Sequence, residues 1–195
     1  MRILVVNLPN IITVARLLAV PLLVWLILNG RLGAAFWLFV ACGVSDALDG
    51  FIARSFRART KIGGYLDPIA DKTLLVGSFI ALGIVGIVPM WLVVLAVARD
   101  IIIVAGVSYL TLRRERLAMQ PLWISKVNTF LQIALVALEL AVHGAGVGLA
   151  PYVVPLEYVV AATTAWSLVG YITRGIIILR SPGEGRDVPR AGEKT

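Results

Sequence analysis

Residues 33–54 read GAAFWLFVACGVSDALDGFIAR, and residues 65–87 read YLDPIADKTLLVGSFIALGIVGI. Each run is long enough to cross an apolar core of about 30 Å as a helix, which takes about 20 residues. Each also carries two aspartates: Asp46 and Asp49 in the first, Asp67 and Asp71 in the second, on either side of a short basic segment. The runs are far longer than barrel strands and lack strict alternation, so helices are the economical reading. Acids at the ends of membrane-length helices ask for a chemical reason, because ionisable groups are expensive there.

Working outward, four more apolar runs occupy residues 10–29, 89–112, 122–143 and 157–179. Pro9, Gly30 and Gly33, Gly63 and Gly64, Pro89, Pro121 and the segment 144–155 mark the breaks. Of the 195 residues 59% are hydrophobic and 15% charged, with a mean hydropathy of +0.93. A soluble domain is about 45–50% apolar and about 25% charged, so the soluble globular class is excluded. The expected fold is an all-α integral membrane protein with six transmembrane helices. Residues 1–181 make one membrane domain, within which residues 1–9 are too few to span and belong at the interface. Residues 182–195 read as a disordered polar tail. The stretch around Arg16 has no convincing cleavage site after it, so it is a helix and not a signal peptide.

Charge sets the orientation. Arg2, the cluster Arg54, Arg57, Arg59 and Lys61, the cluster Arg113, Arg114, Arg116 and Lys126, and Arg180, Arg186, Arg190 and Lys194 fall on one side, thirteen against Arg31 alone on the other. By the positive-inside rule both termini are cytoplasmic. The net charge of +7 then speaks for anionic lipid and not for nucleic acid. Cys42 and His143 are the only residues of their kinds. Intramolecular disulfides, cysteine-based zinc sites and multi-histidine metal sites are therefore excluded, and with His143 expected on the far side from the aspartates Ser-His-Asp chemistry falls too, so any base or metal ligand is a carboxylate.

Spacings of three and four put each aspartate pair on one helical face, and antiparallel packing of the two helices would gather all four. Four carboxylates share a partly desolvated site only if cations neutralise them. Oxygen donors without nitrogen or sulfur favour Mg²⁺ or Mn²⁺, and four suit two divalent ions. The plainer alternative pairs the acids with Arg54, Arg57, Arg59 and Lys61 as a solvated network. Gly50, Ala53, Gly63 and Gly64 tell against it, since small residues beside the acids let a phosphate-bearing ligand approach closely.

Taken together, Asp46, Asp49, Gly50, Ala53, Arg54, Gly63, Asp67 and Asp71 form the string D-x2-D-G-x2-A-R-x8-G-x3-D-x3-D without a departure. This resembles the signature of the CDP-alcohol phosphatidyltransferase family, membrane enzymes of phospholipid synthesis, and the six-span layout matches the fold of that family. The resemblance extends from Asn7-Leu-Pro-Asn10 through Arg16 to Gln132. It implies that a CDP-linked lipid binds with its pyrophosphate on two metals, that an alcohol attacks the β-phosphorus, and that CMP leaves. By the same analogy Asp46, Asp49, Asp67 and Asp71 hold metal, and Asp71 takes the hydroxyl proton. Asp49, Gly50, Ala53, Arg54 and Thr60 receive the cytidine diphosphate, with Gly63 allowing close approach. A homodimer in a bacterial or mitochondrial inner membrane, its active site on the cytoplasmic or matrix side, is the corresponding expectation.

The remaining embedded charges each cost about 2.5–3.5 kcal/mol at a helix centre. Asp100 is expected to pair with a cation on another helix. Arg99, its neighbour, points about 100° away and is either structural or, together with Lys126, Asn10 and Arg16, a candidate for binding the acceptor headgroup. Asn128 and Gln132 suit helix–helix hydrogen bonds. Trp25, Trp37, Trp91, Trp123 and Trp166 suit interface anchoring or packing, and Cys42 suits packing.

The segments 7–10, 66–72 and 98–100 look like the branch of the family that makes phosphatidylglycerophosphate and cardiolipin, and Ile124-Ser-Lys-Val-Asn-Thr129 is similar to CMP-forming cardiolipin synthases. The leading expectation is transfer from CDP-diacylglycerol to phosphatidylglycerol, with glycerol 3-phosphate as the runner-up acceptor. A divalent-cation transporter and a non-catalytic scaffold are the alternatives from other classes. The first needs acids continuing to the far face, where only Glu139 and Glu157 lie; the second needs no particular acid spacing.

Overall fold

The computed structural model describes the backbone of residues 2–55, 63–112 and 123–180, and the side chains of residues 12–48, 70–106 and 123–173. Among the described residues there are six α-helices and no strand. These are α1 (Arg2–Leu28), α2 (Leu32–Ser55), α3 (Gly63–Ile84), α4 (Met90–Leu112), α5 (Trp123–Gly144) and α6 (Val153–Arg180), with a 3₁₀ turn at Ala150–Tyr152. Each helix lies on one of the six apolar runs, the outcome expected of runs that would have to satisfy their own backbone amides in lipid. Trp123–Gly144 and Ala150–Thr173 are apolar and long enough to cross a bilayer, and Ile12–Leu28 and Leu32–Leu48 are shorter apolar helical stretches.

Glycine ends two of the helices. Gly30 and Gly86 adopt φ of 70° and 76°. Beside them Arg31 N–H donates to the Leu26 carbonyl at 2.9 Å, and Ile87 N–H donates to the Leu82 carbonyl at 3.0 Å. This is the left-handed cap that satisfies carbonyls a helix leaves open. Two boundaries differ from expectation. The helix does not break at Pro9: α1 runs through it to Arg2, so residues 2–9 continue the first helix instead of forming a separate segment. A single proline forfeits one backbone bond, and the neighbouring turns carry the helix past it. At the other end α6 begins at Val153, earlier than residue 157, because Pro155 falls in the first turn, where its missing N–H has no intrahelical acceptor to lose. The expected tail 182–195 lies outside the described residues.

The packing pairs close a ring in the order α1, α3, α4, α6, α5, α2, with α3 also meeting α5 across it. Val20, Leu23 and Ile27 of α1, Phe79 and Leu82 of α3, Leu92 of α4 and Leu135 and Leu140 of α5 fill the middle. Cys42 packs in the same core, as expected. α2 and α5 meet backbone to backbone where they begin and end: a Cβ on Gly33 would lie 2.9 Å from the Gly144 carbonyl oxygen, and one on Gly144 would collide with the Leu32 backbone. All five tryptophans are exposed on the bundle exterior. In water such a surface is a liability; against lipid it is solvated. Glu139 and Glu157 are buried toward the Gly144 end of the bundle, Glu139 with its Oε2 3.4 Å from His143 Nδ1.

Candidate active site

Three helices meet on one guanidinium. Arg16, in the middle of α1, is 3% exposed. Its Nη1 donates to Asp46 Oδ1 on α2 at 2.6 Å and to Asp71 Oδ1 on α3 at 2.7 Å. The two carboxylates are about half exposed, so each reaches from an open face onto a buried cation. The first and last acids of the sequence pattern therefore converge on one point. The means differs from simple antiparallel packing of the two acid-bearing helices: α1 packs on both α2 and α3 and carries the residue that joins them. Arg16, a candidate for the acceptor headgroup, is here the counter-ion of two of the acids. An unpaired guanidinium is costly inside a membrane bundle, and this cluster of acids is where it finds partners.

The donor set fits a hard divalent ion. Two carboxylate oxygens from separate helices already share one cationic atom, and oxygen ligands without sulfur or nitrogen suit Mg²⁺ and Mn²⁺. The side chains of Asn10, Asp49, Gly50, Ala53, Arg54, Gly63 and Asp67, and Thr60 altogether, lie outside the described residues. Within the described set no third acid joins Asp46 and Asp71.

A second polar cluster binds the opposite side of the ring. Arg99 of α4 is 2% exposed. Its Nη1 donates to Asp100 Oδ1 at 2.6 Å, and its Nη2 donates to Ser125 Oγ on α5 and to Ser167 Oγ on α6, the latter at 2.8 Å. Asp100 Oδ2 in turn lies 3.4 Å from Lys72 Nζ on α3. Asp100 thus has its expected cation on another helix. Arg99 differs from expectation in one respect: its flexible stem carries the guanidinium round to its sequence neighbour despite the angle between their Cα–Cβ bonds. It is enclosed as a clasp of three helices, the structural alternative to binding a headgroup. Its Nε is buried with no hydrogen-bond partner among the described residues. Lys126 is exposed at the start of α5.

Sequence reading missed Ser125 and Ser167, because serine in an apolar run is cheap and common. The signal was indirect: a buried arginine requires acceptors on the helices around it. Asn128 does what was expected, its Oδ1 accepting from Thr163 Oγ1 at 2.9 Å and Thr164 Oγ1 at 2.8 Å on α6. Gln132 is buried with its Nε2 unpartnered among the described residues. It lines a small crevice with Asp100 and the apolar Leu75, Val76, Phe79, Ala96 and Val97.

The chain is similar to known proteins over most of its length. The sequence model of the CDP-alcohol phosphatidyltransferase family matches residues 6–179. A rice (Oryza sativa subsp. japonica) protein named CDP-diacylglycerol–glycerol-3-phosphate 3-phosphatidyltransferase 1, chloroplastic, is 36% identical over 185 residues, covering 85% of this chain and 56% of that protein. The human protein named cardiolipin synthase (CMP-forming) is 33% identical over 185 residues, covering 87% and 62%. A Mycobacterium tuberculosis protein named probable phosphatidylglycerophosphate synthase is 33% identical over 141 residues, covering 69% and 66%. The chain spans little more than half the length of the rice relative and about three-fifths that of the human one.

Proposed function

We propose, given that the chain belongs to the CDP-alcohol phosphatidyltransferase family, that it transfers a phosphatidyl group from CDP-diacylglycerol to phosphatidylglycerol, forming cardiolipin and releasing CMP. The observation that carries this reading is the convergence of Asp46 and Asp71, from separate helices, on one point inside a membrane bundle. In the reaction the acceptor hydroxyl oxygen bonds to the β-phosphorus, the phosphorus–oxygen bond to CMP breaks, and CMP departs with the electron pair. An Asp71 carboxylate oxygen, half open to the site, receives the hydroxyl proton. Two Mg²⁺ or Mn²⁺ ions, held by Asp46, Asp49, Asp67 and Asp71, would offset the diphosphate charge and acidify the hydroxyl when bound. Asp49, Gly50, Ala53, Arg54 and Thr60 receive the cytidine diphosphate, with Gly63 permitting its approach.

Phosphatidylglycerol is favoured as acceptor by charge. It carries one phosphodiester charge, and α5 offers Lys126 as an exposed cation, while Asn128 is neutral and committed to α6. Glycerol 3-phosphate is the second reading, and the name of the rice relative favours it. The reading includes six spans with both termini cytoplasmic, an inner-membrane location with the site on the cytoplasmic or matrix face, and a homodimer. The transporter alternative finds no counterpart among the relatives described. Purified protein supplied with CDP-diacylglycerol, Mn²⁺ and either acceptor, with CMP and lipid product resolved by mass spectrometry, decides the matter. Cardiolipin from phosphatidylglycerol supports the reading. Phosphatidylglycerophosphate from glycerol 3-phosphate, with phosphatidylglycerol inert, replaces it by the second.

A further inference from the structure

Arg16 is placed where two purposes conflict. Its Nη1 lies within 2.7 Å of an oxygen from Asp46 and an oxygen from Asp71, so it fills the point on which the carboxylates converge. A divalent ion coordinated by the same oxygens needs that point. Nη1 and a metal ion cannot both occupy it, because an atom 2.6–2.7 Å from each oxygen leaves no room for an ion that coordinates both at about 2.1 Å. The guanidinium is nevertheless buried on a helix that packs against both acid-bearing helices, so it stays beside the site once it lets go.

We propose that Arg16 is an exchangeable counter-ion. In the metal-free protein it holds Asp46 and Asp71 together in place of a divalent ion. When metal enters, its Nη1 is displaced from the carboxylates and turns to the diphosphate of the nucleotide-linked donor. A planar guanidinium with several donors is suited to both partners, carboxylate first and phosphate second. This inference rests on the reading of the acid site as a metal and donor site. It adds an order of events, since donor binding gains a cation only after metal has released it.

The test uses full-length protein in detergent with two probes, Mn²⁺ followed by the electron paramagnetic resonance of the free ion, and CDP followed by calorimetry at saturating Mn²⁺. Arg16→Gln removes the competitor and one positive charge, so its Mn²⁺ affinity in the absence of nucleotide should rise at least about fivefold. CDP affinity should fall at least about tenfold, a factor equal to about 1.4 kcal/mol. A residue that only held the helices together would lower both. Arg16→Lys, which keeps the charge but cannot reach both acids with one planar group, should lie between, and it carries the test if Arg16→Gln does not fold. Unchanged or weaker Mn²⁺ binding in a folded variant, or CDP affinity that does not move, overturns the exchange while leaving the metal reading intact. Wild-type protein that binds no Mn²⁺, or no CDP in its presence, overturns the reading of the site and the exchange with it.

Discussion

Replacing Arg99 with methionine separates the two roles an embedded arginine can have. The side chain is 2% exposed, and its terminal nitrogens are bonded to Asp100 on its own helix and to Ser125 and Ser167 on two others. Removing one partner of a buried ion pair costs about 3–5 kcal/mol. Here Lys72 remains 3.4 Å from Asp100 and part of that charge stays compensated, so the low end applies. Hydrogen bonds between membrane helices average about 0.6 kcal/mol each, and the two serines add about 1 kcal/mol. The methionine stem recovers some packing, which leaves a net loss of about 3 kcal/mol. At about 2–4 °C per kcal/mol for a chain of this size, Tm should fall by about 6–12 °C. Cys42 is the only cysteine and is buried, so a thiol-reactive dye that fluoresces on labelling reads the transition directly. Changing Asp100 to asparagine in the Arg99→Met background should restore part of the loss, because the carboxylate short of a cation is gone. A Tm within about 2 °C of wild type, with a raised KM for the acceptor, would refute the clasp and return Arg99 to the headgroup.

Asp71→Asn should leave the protein folded and lower turnover by about 10²–10⁴-fold, the usual worth of a positioned base; near-native turnover at saturating Mn²⁺ in the CMP-release assay would remove Asp71 from that role. Asn128→Lys places a cation in a fully buried position that now bonds two threonines on α6, so Tm should drop by several degrees without any gain in transfer to glycerol 3-phosphate. Gly144→Ala drives a methyl into the Leu32 backbone and should cost about 1–3 kcal/mol by overpacking, measured with the same dye. Cysteines introduced at positions 59 and 114 in a cysteine-free background should react with an impermeant reagent from the cytoplasmic face and one at position 146 only from the other; reaction of positions 59 and 146 from one side would break the six-span arrangement.

Helix positions and the acid-site pattern were legible in the sequence for a plain physical reason. In lipid the backbone must satisfy its own hydrogen bonds, so each long apolar run becomes a helix whatever surrounds it. Four aspartates spaced at three and four along two such runs restrict the chemistry to what carboxylates do. Local exceptions were local in origin: Pro155 opens α6 because its N–H would have had no partner, and α1 runs through Pro9 at the cost of one backbone bond.

What the tertiary structure alone decided is which charges meet. Asp46 and Asp71 are brought together by a third helix, through an arginine thirty residues from one and fifty-five from the other, and no spacing rule reaches across such separations. The same holds for Arg99, whose serine partners lie twenty-six and sixty-eight residues away on two different helices. A buried guanidinium must find acceptors, and the sequence states that demand without naming who meets it. The order of helices around the ring chooses, because the energy of an ion pair depends on distance in space and on how little water remains between the partners.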